Sequence, residues 1–415
     1  MSGQNVTVIG NGIIGLCIAR SLLNDGHTVT VVSRDAVDEG TSIGNASGIA
    51  QAEIFPIAEP GLWKKVPGML MDPLGPLHFR LGHLPKLMPW MYRFLHACRP
   101  ENQARGIAAL AAIMEPSIRD HQAMLDDING KHLLIGEGVL FVYRSEAARD
   151  HAAPEWQIRQ DYGVDSFKLD RDGIRQHEPS LGEEARAGYY SPNWAHYSDP
   201  KQVLNALHSH LRERDVTFLT GEVVGLESID NKVAALHFKD GQRHIVDHLV
   251  IAGGAWSGRL SQQLGESYPI EADRGYNTTL PNPGMDMKKY VTFAEDNFVA
   301  TPLSIGLRIG GAVEMGGLDA PPNYARSDAL IQLAKRYLPD LNTEGGTQWM
   351  GHRPGSPDSI PVISKSATCD NVTYAFGHGH LGLTLSPTTA RLITDMISNR
   401  DPGIDMTPYR IDRYR

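Results

Sequence analysis

The sequence predicts an α/β protein: a nucleotide-binding unit on a parallel sheet, with a second, strand-rich unit beside it. Three observations predict it. The chain opens on a strand, a glycine turn and a helix, Val6-Thr7-Val8-Ile9-Gly10-Asn11-Gly12-Ile13-Ile14-Gly15-Leu16-Cys17-Ile18-Ala19. A second strand, Thr28-Val29-Thr30-Val31-Val32, follows at the spacing of a parallel unit. From Gly138 onward the texture changes to short apolar and β-branched runs. With 415 residues the chain can build two or three cores.

Each glycine of the opening turn has its own task. Gly10 permits the tight turn out of the strand, Gly12 lets backbone approach a pyrophosphate, and Gly15 lets helix and strand pack closely. Ile13 and Ile14 begin a helix whose N-terminal N–H groups and partial positive charge suit phosphate. The spacing therefore predicts a dinucleotide site. The acid expected at the end of the second strand is missing, replaced by Ser33-Arg34-Asp35. Ser33 can bond a ribose hydroxyl without charge, and Arg34 suits a 2′-phosphate, as in NADP. The spacing leaves the choice of dinucleotide open.

Thr41, Ser42, Asn45, Ala46, Gly48 and Ile49 come next, crowding small polar side chains together. They form either a loop with ordinary turn chemistry or a second clamp facing the glycine turn. Residues 56–100 are rich in Pro, Leu, Met and aromatic residues with scattered basic ones, including Trp63-Lys64-Lys65. They read as an amphipathic cover over the core, with a membrane-surface or quinone-facing segment as the alternative. Ile107, Leu110, Ala111, Met114 and Ile118 recur at helical spacing, with a kink expected at Pro116.

Val139–Tyr143 and Gly188–Tyr190 read as strands, and a polar aromatic loop 191–198 follows. Asp199 and Pro200 open a helix as N-cap and first residue. A strand at 216–219 and the segment Glu222-Val223-Val224 lead to a hairpin, Lys232–Phe238 with Arg243–Val246, split by Asp240-Gly241. The buried strand 248–251 ends in Ala252-Gly253-Gly254-Ala255-Trp256-Ser257. Residues 258–348 are strand-rich, and the chain closes with a helix to about Ser398.

Composition narrows the function. The charge is −9, a poor basis for nucleic-acid binding. Cys17, Cys98 and Cys369 have neither disulfide nor metal spacing, which points to a reducing, cytoplasmic setting. The first strand begins within a few residues of Met1, leaving no room for a secretory leader, and no apolar run is long enough to span a membrane. His378 and His380 lack a third ligand, so no metal is expected.

Four pieces occur in one order: Gly10-x-Gly12-x-x-Gly15, Thr41-Ser42 with Asn45-Ala46, Ala252-Gly253-Gly254-Ala255-Trp256, and a C-terminal pair of motifs. That pair is Gly351-x-Arg353-Pro354-x-x-Pro357-Asp358 and Gly377-His378-Gly379-x-x-Gly382. The set resembles the flavin-dependent D-amino acid oxidase superfamily, nearest to its D-amino acid dehydrogenases, with glycine and sarcosine oxidases as cousins.

The resemblance implies a Rossmann-like FAD-binding domain from discontinuous segments, 1–56, 199–257 and 349–415. It implies a mixed or antiparallel-sheet substrate domain from 57–198 and 258–348. FAD, held non-covalently, would meet the glycine turn, Ser33, Arg34, the 41–49 loop, Val223 and Ala252–Trp256. The turn Gly379, His380, Leu381, Gly382, Leu383 and Thr384 would face the flavin pyrimidine. Arg353 would clamp the substrate carboxylate by paired charge-assisted bonds so that Cα–H points at flavin N5. Tyr276 and His378 are further candidates for substrate or catalysis; His196 and Tyr197 are weaker ones. The implied reaction is oxidative deamination of a D-amino acid, D-proline or a hydroxy-D-proline included. Electrons would pass to a quinone or another electron-transfer partner, with peripheral contact at the inner face of a membrane. The alternatives are an oxygen-using, glycine/sarcosine-type amine oxidase that releases hydrogen peroxide, and a non-catalytic flavoprotein subunit.

Overall fold

Strand Asn5–Ile9 has four buried residues in a row, so it needs partners on both edges and cover on both faces. The computed structural model, which describes residues 3–35, 39–62, 64, 66, 68, 75 and 77–414, supplies both. Thr28–Ser33 and His248–Ile251 pair with it in parallel. Thr217–Thr220 extends one edge and Val372–Phe376 the other, both parallel, and Val362–Lys365 closes the sheet antiparallel. The sheet is thus built from segments far apart in sequence.

Helix Ile13–Asn24 covers one face and packs against the closing helix Ser386–Ile397. The expected hairpin is present at Lys232–Phe238 and Arg243–Ile245, turning at Gly241 with φ +88°. Val223–Ile229 pairs with its first strand to make a three-stranded sheet. Asp199 caps helix Pro200–Glu213, its carboxylate accepting from Lys201 N–H at 2.9 Å.

The second sheet has nine strands. Its order runs Thr347–Gly355, Glu271–Leu280, Gly306–Met315, Phe298–Leu303, Tyr290–Phe293, Val139–Tyr143, Ala187–Ser191 and Phe167–Leu169, with Leu77–Phe79 beside Gly306–Met315. Helix Ala325–Tyr337 covers one face, burying Leu330, Leu333 and Tyr337 with Tyr276, Phe293, Phe298 and Ile309. The other face looks onto the 41–48 loop.

Pro116 separates two helices, Pro100–Met114 and Ser117–Asp127, and does not merely kink one. Ile107, Leu110, Met114, Met124 and Leu125 share a core with the first helix. Residues 100–127 therefore pack with the nucleotide-side sheet, while 349–355 hydrogen-bond into the second. Trp63 and Lys65 lie outside the described residues. No helix among the described residues is long and apolar enough to cross a membrane.

Candidate active site

The site is built where three turns of the first sheet meet the open face of the second. The glycine turn comes first. Gly10 has φ +119°, and a Cβ there would stand 2.4 Å from the Ala252 carbonyl oxygen. A Cβ on Gly15 would stand 1.9 Å from the Gly10 carbonyl oxygen. Both positions exclude any larger residue, which leaves bare backbone at the helix N-terminus. Ser42 Oγ accepts from Ile13 N–H at 3.1 Å, tying the 41–48 loop to that terminus.

The loop is fastened from the other side as well. Asn277 donates to the Gly44 carbonyl, Arg308 to the Asn45 carbonyl at 2.6 Å, and Thr301 to the Ala46 carbonyl at 2.9 Å. Burial brings the Arg308 guanidinium down to about 10. Trp349 lies against Gly44, where a Cβ would come within 2.2 Å of its ring. Sequence reasoning missed Asn277, Thr301, Arg308 and Trp349. Their signal is period-two alternation, which places all four on one face, but that pattern does not say what the face meets.

Gly48 and Ile49 pair with His196 and Ala195 in a small sheet. Thr384 Oγ1 accepts from Ala50 N–H at 3.0 Å and donates to the Gly48 carbonyl at 3.3 Å, which brings in the C-terminal turn. That turn begins in a short 3-10 helix, Gly379–Leu381. The N–H groups of Gly382, Leu383 and Thr384 find no acceptor among the described residues. Three free donors in a row make a concave anion-stabilising surface. His121, also missed from sequence, lies buried beneath the turn. Its Nε2 is 3.0 Å from the carbonyl oxygens of Leu383 and Thr384, and its Nδ1 meets the Tyr197 hydroxyl. Burial holds it neutral, with a pKa of about 4.

At the far end, Ala252 N–H donates to the Ile9 carbonyl at 2.9 Å, and Gly253, Gly254 and Trp256 continue the turn beside Gly10. Val223 lies two residues past Gly221, whose N–H donates to the Ser33 carbonyl at 2.8 Å. Ser33 Oγ donates to the Asp35 carbonyl at 2.9 Å. Arg34 forms a forked pair with Asp35 at 2.6 and 2.8 Å and lies 4.7 Å over the Trp256 ring.

Arg353 stands opposite Asp273 in the cross-strand register. Its Nη1 is 3.4 Å from Asp273 Oδ1 and donates to the Ala312 carbonyl at 3.1 Å, and its Nη2 donates to the Gly311 carbonyl at 3.4 Å. The internal pair is long. Nε keeps no acceptor among the described residues, and the side chain is 24% exposed. Burial raises the Asp273 carboxyl, and Arg353 draws it back. The guanidinium fits because Gly275 has no side chain: a Cβ there would be 2.3 Å from Arg353 Cζ. His380 keeps part of its surface exposed to solvent. Crowding by protein and then the Arg353 charge bring it down to about 4.

Two expectations need correction. Tyr276 pairs with Met350, three residues and so an odd step from Arg353, and therefore projects from the opposite face. There it is 1% exposed and donates to Glu314, which also accepts from Arg80 and Arg274. It is a core residue and does not face the Arg353 side. His378 is 2% exposed, lies 3.0 Å from Thr389 Oγ1, and is held neutral by burial at about 3. It fixes the start of the closing helix and is shut off from solvent.

Residues 5–396 match the family model described as FAD dependent oxidoreductase. The chain belongs to that family. It is 32% identical to a D-amino-acid oxidase of Bradyrhizobium diazoefficiens, covering 99% of each chain. It is 30% identical to a D-amino acid dehydrogenase of Granulibacter bethesdensis, over 99% of this chain and all of that one. Among solved structures, glycine oxidase from Geobacillus kaustophilus superposes with a TM-score of 0.78 at 19% identity, covering 99% of both chains. L-proline dehydrogenase from P. horikoshii does so at 0.75 and 18%, over all of this chain and 98% of that one.

The cofactor is FAD, and the residues fit it. The glycine cradle leaves a helix N-terminus open for phosphates, and the free N–H groups at 382–384 suit an electron-rich ring edge. The NADP alternative drawn from Arg34 is overturned by the family. Arg34 is spent on Asp35 and Trp256.

Proposed function

We propose that the protein oxidises the Cα–N bond of D-amino acids and passes the electrons to an acceptor other than oxygen, such as a quinone. The observation that carries this reading is Arg353. It is a part-exposed guanidinium with donors to spare, set on the sheet face that looks onto the 41–48 loop. A carboxylate is the planar anion that such a fork recognises. The names of the relatives support the D-amino acid assignment.

FAD, when bound, supplies the hydride acceptor. The chain contributes the positioning. Arg353 anchors the carboxylate, and the 382–384 N–H groups face developing negative charge. The amine must be neutral so that its lone pair assists as hydride leaves. The imino acid then hydrolyses to a 2-oxo acid and ammonia; a cyclic substrate such as D-proline gives a cyclic imine. A peripheral membrane contact is supported by helix Leu84–Ala97. It exposes Met88, Tyr92 and Leu95 near Leu81, carries Lys86 and Arg93, and contains no acid.

The second reading, an oxidase that releases hydrogen peroxide, is favoured by the name of the Bradyrhizobium relative. One experiment tests both. The purified protein is mixed with D- and L-amino acids, both prolines included, without oxygen, and the flavin absorbance is followed. Bleaching by D-amino acids alone supports the proposal. Slow recovery on admitting air supports the dehydrogenase, and fast recovery with peroxide the oxidase. A flavin that no amino acid bleaches overturns the substrate assignment.

A further inference from the structure

We propose that Glu53 receives the substrate's amino group, pairing with the ammonium and taking one proton from it before hydride departs. The inference rests on the amino acid reading above and adds the group that reading lacks.

Glu53 follows directly on the fastened part of the loop. Thr384 holds Gly48 and Ala50, and Glu53 N–H donates to the Ala50 carbonyl at 3.0 Å. The carboxylate is enclosed but not sealed, and no described residue hydrogen-bonds it. Arg159 is the cation beside it and is already engaged. Its Nε donates to the Ala52 carbonyl at 3.1 Å, its Nη1 is 3.6 Å from Glu155, and its guanidinium lies 4.6 and 4.8 Å from the Phe55 and Trp156 rings. It attracts Glu53 without bonding it.

Tyr290 stands against the same loop. A Cβ on Gly48 would be 3.1 Å from its ring, so this phenol lies directly against the loop. By register Tyr290 shares the sheet face of Thr301, Asn277 and Arg353, and the Glu53 and Arg353 charges both act on it. One phenol thus has an anion and a cation as neighbours, and the two are complementary to the two ends of a zwitterion. A carboxylate left alone inside a protein is costly, and a substrate ammonium supplies the missing partner. Burial raises the Glu53 carboxyl, with Arg159 opposing, which suits it to accept a proton. The charged and titratable groups around it are Arg159 and Glu155 from helix Ala153–Asp161, Tyr290 from its own strand, and Arg353 beyond.

The step balances. An ammonium N–H bond breaks and a Glu53 O–H bond forms, so an ion pair becomes two neutral groups. The nitrogen lone pair then makes the C=N bond as hydride leaves Cα for the oxidant, the enzyme's FAD. The Glu53 proton returns to solvent after the product leaves.

The test uses the holoenzyme and Glu53→Gln, with two ligands that cannot be oxidised. 2-Aminoisobutyrate has an amine but no Cα hydrogen; isobutyrate has only the carboxylate. At pH 7 the variant should bind 2-aminoisobutyrate about 10- to 100-fold more weakly, the range of a lost charged hydrogen bond. Isobutyrate affinity should not fall. With D-alanine, wild-type kcat/KM should be flat across neutral pH. The variant's should climb tenfold per pH unit and approach wild type near the amine pKa. Equal weakening of both ligands, or parallel pH profiles, overturns the proposal. A loss confined to D-lysine and D-arginine also overturns it, because the carboxylate would then read a side-chain cation. A wild-type flavin reduced by no amino acid, with 2-aminoisobutyrate binding still sensitive to Glu53→Gln, overturns the function and not this site.

Discussion

Gly275→Ala tests whether Arg353 acts by its position or merely by its charge. Residue 275 lies in extended backbone on the strand beside Arg353, so alanine meets no backbone strain there. Its methyl would stand 2.3 Å from Arg353 Cζ and Nη2 and 2.6 Å from Nε. Ordinary contact begins near 3.4 Å, so the guanidinium must retreat by about 1 Å. A misplacement of that size costs about 100-fold where bound geometry sets the rate. Arg353 keeps its charge, and the second sheet keeps its core on the other face. Stopped-flow reduction of the flavin by D-alanine should therefore show kcat/KM down about 100-fold, with the melting temperature nearly unchanged. In an Arg353→Ala background the same substitution should add little, since the group it displaces is gone. Wild-type kcat/KM in Gly275→Ala, or full additivity of the two changes, would refute the assignment of Arg353 to the substrate.

Three further outcomes follow from the placements above. Tyr276→Phe removes a buried hydroxyl that donates to Glu314 and accepts from Asn323 N–H at 3.0 Å. It should cost about 1–3 kcal/mol in denaturant unfolding and leave KM unchanged. Acid precipitation should release the yellow colour into the supernatant, as non-covalent FAD requires; colour retained in the pellet contradicts it. Buried histidines set an acid limit, His121, His196 and His378 among them. Folded pKa values of about 4 for His121 and His196 and about 3 for His378 lie below the unfolded 6.5. The unfolded chain therefore binds protons first, and stability should fall as pH drops from 6.5 towards 4, by about 1.4 kcal/mol per pH unit and histidine. His378→Asn should flatten part of that slope, with the change read by melting temperature against pH.

The first sheet was legible because its signals are local. A glycine whose Cβ would strike backbone, as at Gly10 and Gly15, marks one conformation wherever it occurs. An N-cap such as Asp199 likewise states its helix within a few residues. The second sheet was legible only as texture, since strand order depends on pairings between distant residues. The same limit explains Tyr276. Which face Tyr276 takes depends on register with Thr347–Gly355, a strand some seventy residues on. His378 was misjudged for a related reason. Its neighbours Gly377 and Gly379 mark a tight turn, and the turn aims His378 at Thr389 on the closing helix, into the core.

The 41–48 loop explains why the site lies between two sheets and not within either. Its carbonyls at 44, 45 and 46 accept from three strands of the second sheet, while Ser42 accepts from the helix of the first. A loop held on both sides cannot move with one sheet alone, so it sets the distance between the glycine turn and Arg353. That distance must suit a cofactor on one side and a substrate on the other. The donors are strong where the loop would otherwise be loose: Arg308 is buried and charged, and its bond to Asn45 is 2.6 Å long. Oxidation by hydride transfer places one carbon against one acceptor atom, and it tolerates little slack. The clamp is thus part of the chemistry, although of its side chains a motif marks Ser42 and not Asn277, Thr301 or Arg308.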